Sequence, residues 1–298
     1  MKTKLFIVLV ILARITLIYC SENSANSETS QSSDNFAWCH IAAGDFTWGK
    51  NSSIQTIDYD YQIMKYEVTN SQYLSFLQEA YASGKIKVSD GGDIVQGYYS
   101  GDEYYPEGYY DFYSLGDNRS ENNYGRISWN GETFVINVPA GYNEGDFDDH
   151  PVVFVTWFGA LAFADYYGLR LPTEQEWEKA ARGNTGQEYP WGNALSADKA
   201  NYRNSEDPWD NGTTPVGYYN GQNKTSDSPS PYGVYDICGN VYDWTDSWYG
   251  ESNPSYRIIR GGYWYNFSVH PYLRSWFRVN NNPAGSDYNV GFRCVKIP

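Results

Sequence analysis

Asp236-Ile-Cys-Gly-Asn-Val-Tyr-Asp-Trp244, followed by Arg260-Gly-Gly-Tyr-Trp264, is the stretch on which this chain turns. The first piece sets two carboxylates, an amide and a glycine beside Trp244, Trp248 and Tyr249, a mixture foreign to a plain core strand. Calcium takes six to eight oxygen ligands and needs a pliable, glycine-containing turn to gather them. Asp236 and Asp243 can supply the charge, and carbonyls near Gly239 and Val241 can fill the shell. A solvated, Asx-capped turn is the alternative. The second piece opens a weave in which Arg260, Arg274, Arg278 and Arg293 alternate with Trp264, Trp276, Phe277 and Phe292. A guanidinium cannot shed its proton, so a buried arginine demands acceptors. The expected core is therefore aromatic and stitched by hydrogen bonds.

Composition supports that expectation. Of 298 residues, 41% are apolar, but 30 are tyrosine and 11 are tryptophan, so rings with polar handles carry much of the core. The formal charge of −15, with no basic stripe, argues against a nucleic-acid partner.

At the N-terminus, Lys2 and Lys4 precede an apolar run, Arg14 and a second run that ends at Cys20. Residues 1–20 read as a secretory signal, too short and too interrupted for a spanning helix. The expectation is an exported protein, periplasmic or at the cell surface. Cys20 stands where a lipoprotein would be cut and acylated, although Tyr19 replaces the small residue usual before it. A lipid anchor there would be the chain's contact with a membrane. Residues 21–35 are a polar tether, and a single domain is expected over 36–298.

Within the domain, Phe36–Gly49 and Tyr59–Val68 read as strands. Thr69-Asn-Ser-Gln72 is a capping box for a helix stopped by Gly84. Val152–Val155 reads as a short strand, Thr156 caps a helix ended by Gly168, and Thr173-Glu-Gln-Glu176 opens a third helix closed by Gly183. Brief strands are expected near Val216, Ile258 and Phe292. Between about 85 and 149 lies a tyrosine-rich stretch with a hairpin at Asn130-Gly131. Its tyrosines read as packing onto the domain, with a sugar- or peptide-binding platform as the other possibility.

Gly44-Asp-Phe-Thr-Trp-Gly49, Tyr66-Glu-Val-Thr-Asn70, His150-Pro-Val-Val-Phe-Val-Thr-Trp157, Arg170-Leu-Pro-Thr-Glu-Gln-Glu-Trp-Glu178, Tyr189-Pro-Trp-Gly-Asn193, Gly239-Asn240, Arg260-Gly-Gly262 and Gly291-Phe-Arg293 occur in this order. Together they resemble the formylglycine-generating enzyme (sulfatase-modifying factor) family from about Cys39 to Val295, with residues 85–149 as an insertion. The resemblance implies an irregular α+β fold, C-type-lectin-like, with short strands and two or three small helices.

It also implies two structural calcium sites. One falls on Asp236, Gly239, Val241 and Asp243; the other falls on Asn201, the Tyr202 carbonyl, Asp207 and the Trp209 carbonyl. Family enzymes bind copper(I) through two cysteines after the Gly-Gly pair, because the soft cation requires thiolates. Here those positions hold Asn266 and either His270 or Pro271. Copper is not expected. The related iron-dependent sulfoxide synthases need clustered histidines and a helical domain, whereas this chain has only His40, His150 and His270, scattered.

The same surface can still bind an extended peptide or a glycan through Tyr263, Trp264, Asn266, His270 and Trp276. The expectation is a binding or structural module without formylglycine-generating activity. The alternative is an oxidoreductase that modifies a protein cysteine or another substrate with residues not yet identified. Finally, once Cys20 is set aside, an odd number of cysteines remains: Cys39, Cys238 and Cys294. Export permits oxidation, and Cys39 and Cys294 lie near the two ends of the domain, so a bridge between them is expected with Cys238 as a buried thiol.

Overall fold

A computed structural model describes residues 35–116, 124–209, 212–250 and 255–298. The expected signal, the expected lipidation position Cys20 and nearly all of the expected tether lie outside the described residues.

The expected first strand is two. Chain reversal at Gly44, with φ +129°, separates β1 (Trp38–Ile41) from β2 (Gly44–Trp48). β2 forms a hairpin with β3 (Ser53–Ile57), and β4 (Tyr61–Met64) returns to pair antiparallel with β1. Helix α1 (Asn70–Ala82) starts at the reciprocal Thr69–Gln72 capping box and buries Tyr73, Phe76, Leu77 and Ala80 on one face.

The insertion builds its own antiparallel sheet from β5 (Ile86–Val88), β6 (Ile94–Tyr99) and β7 (Gly108–Ser114). It then forms a hairpin from β8 (Ile127–Trp129) and β9 (Phe134–Ile136), closed by the Asn130 turn with Gly131 at φ +98°. Most of its rings pack inward. Tyr110 stacks on Phe158 at 4.2 Å between centroids, and Tyr105 lies parallel to Trp248 at 6.0 Å. Tyr98 and Tyr109 remain exposed.

The run Val152–Val155 is not a strand. Phe154 has φ +63°, and the segment is tied to its neighbours by isolated bridges at Pro151 and Val155 and by the Phe154 N–H bond to the Asp287 carbonyl at 3.0 Å. Helix α2 (Trp157–Tyr166) is capped by Thr156, and α3 (Glu174–Arg182) by the reciprocal Thr173–Glu176 box. Near Val216 there is a turn rather than a strand. The last sheet takes β10 (Tyr242–Trp248), β11 (Arg257–Arg260), β12 (Val279–Asn281) and β13 (Val290–Gly291) in the order 12-11-10-13, with β13 parallel to β10. β14 (Val295–Lys296) closes the domain by pairing with β4.

That closure overturns the expected disulfide. Cys39 and Val295 both pair with Ile63, from opposite sides of β4. Strands two apart lie roughly 9–10 Å from each other, beyond the ~7 Å that a disulfide can span. Cys39, Cys238 and Cys294 are all free, buried thiols. The ends do share a sheet, but with a strand between them.

The core is aromatic and bonded as the composition suggests. Trp157, Trp177 and Trp244 are fully buried, and each indole N–H finds an acceptor: the Thr245 carbonyl at 3.1 Å, Asp243 at 2.8 Å and the Val155 carbonyl at 3.0 Å. Arg260 reaches Glu178 at 2.5 Å, and Arg278 donates twice to Glu174. The irregular α+β architecture expected from the sequence is thus present.

Candidate functional site

Two loops meet below the start of β10. Gly239 adopts φ +84°, and a Cβ placed there would come 2.1 Å from the Asn201 carbonyl, so only glycine allows the loops to touch. The Asn201 carbonyl then accepts the Asn240 N–H at 2.9 Å. Asn240, itself at φ +59°, is a buried hub. Its Nδ2 donates to Glu67 at 2.7 Å, while its Oδ1 accepts from Thr214 N at 3.0 Å and Asn201 Nδ2 at 3.2 Å.

Around this hub lie Asp236, Asp243, Glu67 and Arg293. Asp236 sits at φ +54° and accepts the Gly217 N–H at 2.5 Å. Asp243 does not lie in the loop but inside β10, fully buried. The strand tolerates it because its Oδ2 receives Arg293 Nε at 2.7 Å and Trp177 Nε1 at 2.8 Å. Its Oδ1 is buried without a hydrogen-bond partner. Arg293 also donates to the Tyr235 carbonyl at 3.0 Å.

Three carboxylates therefore face one guanidinium. Burial, reinforced by the charge of Asp236, raises Glu67 well above the ordinary carboxylate range. Burial pushes Asp236 up to about 6 and raises Asp243 as well. The surplus negative charge must be met by protons or by a cation. Among the described residues, no three His, Cys, Asp or Glu side chains converge closely enough to hold a metal by themselves. Of the expected cation ligands, Asp236 Oδ2 is spent on the Gly217 N–H and Asp243 Oδ2 on Arg293 and Trp177, which leaves the buried Asp243 Oδ1 without a hydrogen-bond partner. Glu67 went unnoticed as a site residue. The signal available for it was the need of Asn240 and Arg293 for buried acceptors, which spacing alone does not supply.

The second set is arranged as a self-closed turn. Asp207 accepts from Ser205 Oγ at 2.8 Å and Trp209 N at 2.9 Å, and the Tyr202 carbonyl accepts Ser205 N at 2.9 Å. Asn201 joins this turn to the hub through its Nδ2 bond to Asn240 Oδ1 at 3.2 Å, and the same amide reaches the Gly212 carbonyl at 3.0 Å.

The residues after the Gly-Gly pair divide into buried and exposed. Asn266 is buried, and its Oδ1 accepts the Tyr263 N–H at 2.8 Å, so the amide closes a turn. Trp264 is only 4% exposed, beneath Tyr124 of the insertion at 4.9 Å and Tyr288 at 6.0 Å. These two residues do not line an open surface, which corrects the expectation. The chain turns inward there because Gly262, at φ +83°, packs against Leu273. Tyr263 and Trp276 are half-buried, and His270 is exposed between Phe267 and Tyr272.

What faces solvent is a ring cluster that the sequence reading named only in part: Tyr265, Phe267, His270 and Tyr272, with Val269 82% exposed among them. The Arg203 guanidinium lies 4.3 Å from the Tyr265 ring centre and 4.2 Å from that of Phe267, which fixes both rings. Cys238 lies just beneath, its Sγ donating to the Leu273 carbonyl at 3.2 Å, and burial raises its thiol pKa. It is a structural thiol without thiolate character.

Comparison with known proteins agrees with the fold. The chain is 39% identical over 170 residues to serine/threonine-protein kinase pkn1 of Chlamydia caviae, covering 51% of this chain and 25% of that one. It is 37% identical over 170 residues to inactive C-alpha-formylglycine-generating enzyme 2 of Bos taurus, covering 53% and 54%. The match therefore spans about a quarter of the first relative and about half of the second. The fold is similar to that of PvdO from Pseudomonas aeruginosa, with a TM-score of 0.57 and 21% identity over 88% of this chain and 94% of that one. Residues 23–298 match the sulfatase-modifying factor enzyme 1-like domain, and the chain belongs to that family.

Proposed function

We propose that this chain is an exported, calcium-stabilised binding module of its family that does not generate formylglycine. The observation that carries the reading is the chemistry at the two positions after Gly262. Asn266 spends its amide oxygen on a turn, and the second position, His270 or Pro271, offers at most one exposed imidazole. Neither replaces the pair of thiolates that copper(I) requires. The remaining thiols are buried, and Cys238 is held by a carbonyl. A relative whose name calls it inactive, 37% identical over the matched stretch, supports the same reading.

With the chemistry gone, the exposed rings of Tyr265, Phe267 and Tyr272 remain as a contact surface for an extended peptide or a glycan. Calcium would be held by Asp236, Asp243 and the carbonyls beside them, and would offset the surplus charge around Glu67. The signal at residues 1–20 supports export, with Cys20 as the anchoring position. The test is to incubate the protein with a sulfatase-derived cysteine peptide, oxygen and cuprous ion. An unchanged peptide is expected, and an aldehyde product would sink the proposal in favour of an oxidoreductase.

A further inference from the structure

A cleft of about 670 Å³ lies beside the exposed rings, between the Lys50 turn, the Glu188–Asn193 loop and the Pro271–Phe277 segment. Its size suits one or two small rings of a ligand. Trp276, Phe277 and Tyr189 line it with rings. Two cations and one carboxylate reach into it. Glu188 is already engaged, with Arg274 Nε 2.5 Å away and Trp276 Nε1 at 3.2 Å. Lys50 has no ion pair among the described residues, and its ammonium sits 5.7 Å from the Trp276 ring centre. In a chain of net charge −15 this is a cationic spot over an aromatic plane.

We infer that the cleft binds a carboxylated sugar, a uronic acid within a glycan. A pyranose ring presents a flat C–H face to Trp276, and its carboxylate then meets Lys50 in a charge-assisted bond. Asn193, which lines the cleft, accepts the Glu188 N–H with its Oδ1 at 2.9 Å, and its Nδ2 is the atom left to donate to ring hydroxyls. An acidic peptide fits less well. None of the lining residues lies in a named strand, so the cleft offers no ladder edge to an extended main chain. The inference rests on the binding-module reading, and the cleft shares no lining residue with the exposed rings of Tyr265, Phe267 and Tyr272.

The probe is a galacturonic acid trimer set against the neutral galactose trimer, titrated into the full-length protein and followed by calorimetry. The acidic trimer is expected to bind, with the neutral trimer weaker by about tenfold or more. Lys50→Gln is expected to weaken the acidic trimer by a similar factor while leaving the melting temperature unchanged, because Lys50 is exposed. Trp276→Ala should abolish binding of both sugars. Equal affinity for both trimers, no binding to either, or tighter binding of a glutamate tripeptide would each overturn the assignment. A Tyr265→Ala, Phe267→Ala double variant separates the two readings. If trimer binding survives there while every other ligand of the exposed rings is lost, both readings hold. If trimer binding fails in the unmodified protein while those rings still bind a ligand, the cleft assignment alone falls.

Discussion

Arg293 Nε donates to Asp243 Oδ2 across 2.7 Å, and both side chains are sealed from solvent. Asp243 in turn holds the indole of Trp177, so one carboxylate joins β10, α3 and the chain's last segment. Breaking a buried pair from one side leaves a charge with no compensation, typically a loss of about 3–5 kcal/mol. Asp243→Ala is therefore expected to lower unfolding free energy by roughly that amount. A urea midpoint unchanged from the parent would show that the pair is not what closes the domain.

Removal of the proposed calcium addresses the same region from the other side. When ionised, Glu67, Asp236 and Asp243 carry more negative charge than Arg293 offsets, and burial raises all three, so a cation bound only by the folded state would take the place of protons and add stability in proportion to its saturation. Chelation is expected to lower the melting temperature by several degrees, and Asp236→Asn to shrink that shift. A melting curve indifferent to chelator would remove calcium from the proposal.

His150 supplies a pH signature. It is fully buried, its Nδ1 lies 2.9 Å from Thr213 Oγ1, and its Nε2 has no partner. Burial, with Arg126 nearby, lowers its pKa to about 3. The unfolded chain takes up the proton near pH ~6.5. This contribution is therefore complete above that pH and is lost as pH falls towards about 3, at up to ~1.4 kcal/mol per pH unit. His150→Phe should flatten the fall in stability between neutral and acidic pH relative to the parent. Parallel pH profiles for the two proteins would show that His150 titrates normally.

Capping boxes and glycines were readable because they act over three or four residues. Thr69 and Thr173 start their helices where the sequence places them. Arginines also announced a need for partners, but not which partners. Glu67 meets Asn240 across 173 residues, and no spacing rule foresees that. Trp264 was misplaced for a similar reason. Tyr124, the ring that covers it, belongs to the insertion, whose docking depends on long-range contacts. The Cys39 bridge failed on a single intervening strand, a matter of topology that proximity to the chain ends cannot resolve.

Arg257 fastens the insertion. Its guanidinium lies 3.7 Å from the Trp157 ring centre and 3.6 Å from that of Trp248, while its ends reach Asp246 at 2.9 Å and Asp102 of the insertion at 3.3 Å. A planar fork can stack and pair at once, and an ammonium cannot. Arg257→Lys is expected to cost about 2 kcal/mol and to speed amide exchange around residues 102–113. Exchange confined to β11 would mean the insertion is held by its rings alone.

The absence of thiolates after Gly262 can be reversed. Asn266 ends the 263–266 turn and His270 the next one, 267–270, the first residue buried and the second exposed, with the ring of Phe267 against His270. The parent protein is expected to show no stoichiometric cuprous binding under reducing conditions, because its buried thiols lack thiolate character and its imidazole stands alone. Asn266→Cys with His270→Cys restores two soft ligands at these positions and should bring a thiolate-to-copper absorption band. Asn266→Cys also removes the acceptor for the Tyr263 N–H, so the variant should lose about 1–2 kcal/mol of stability. Stoichiometric copper binding by the parent would mean that other residues form the centre, and the binding-module reading would give way to the enzyme.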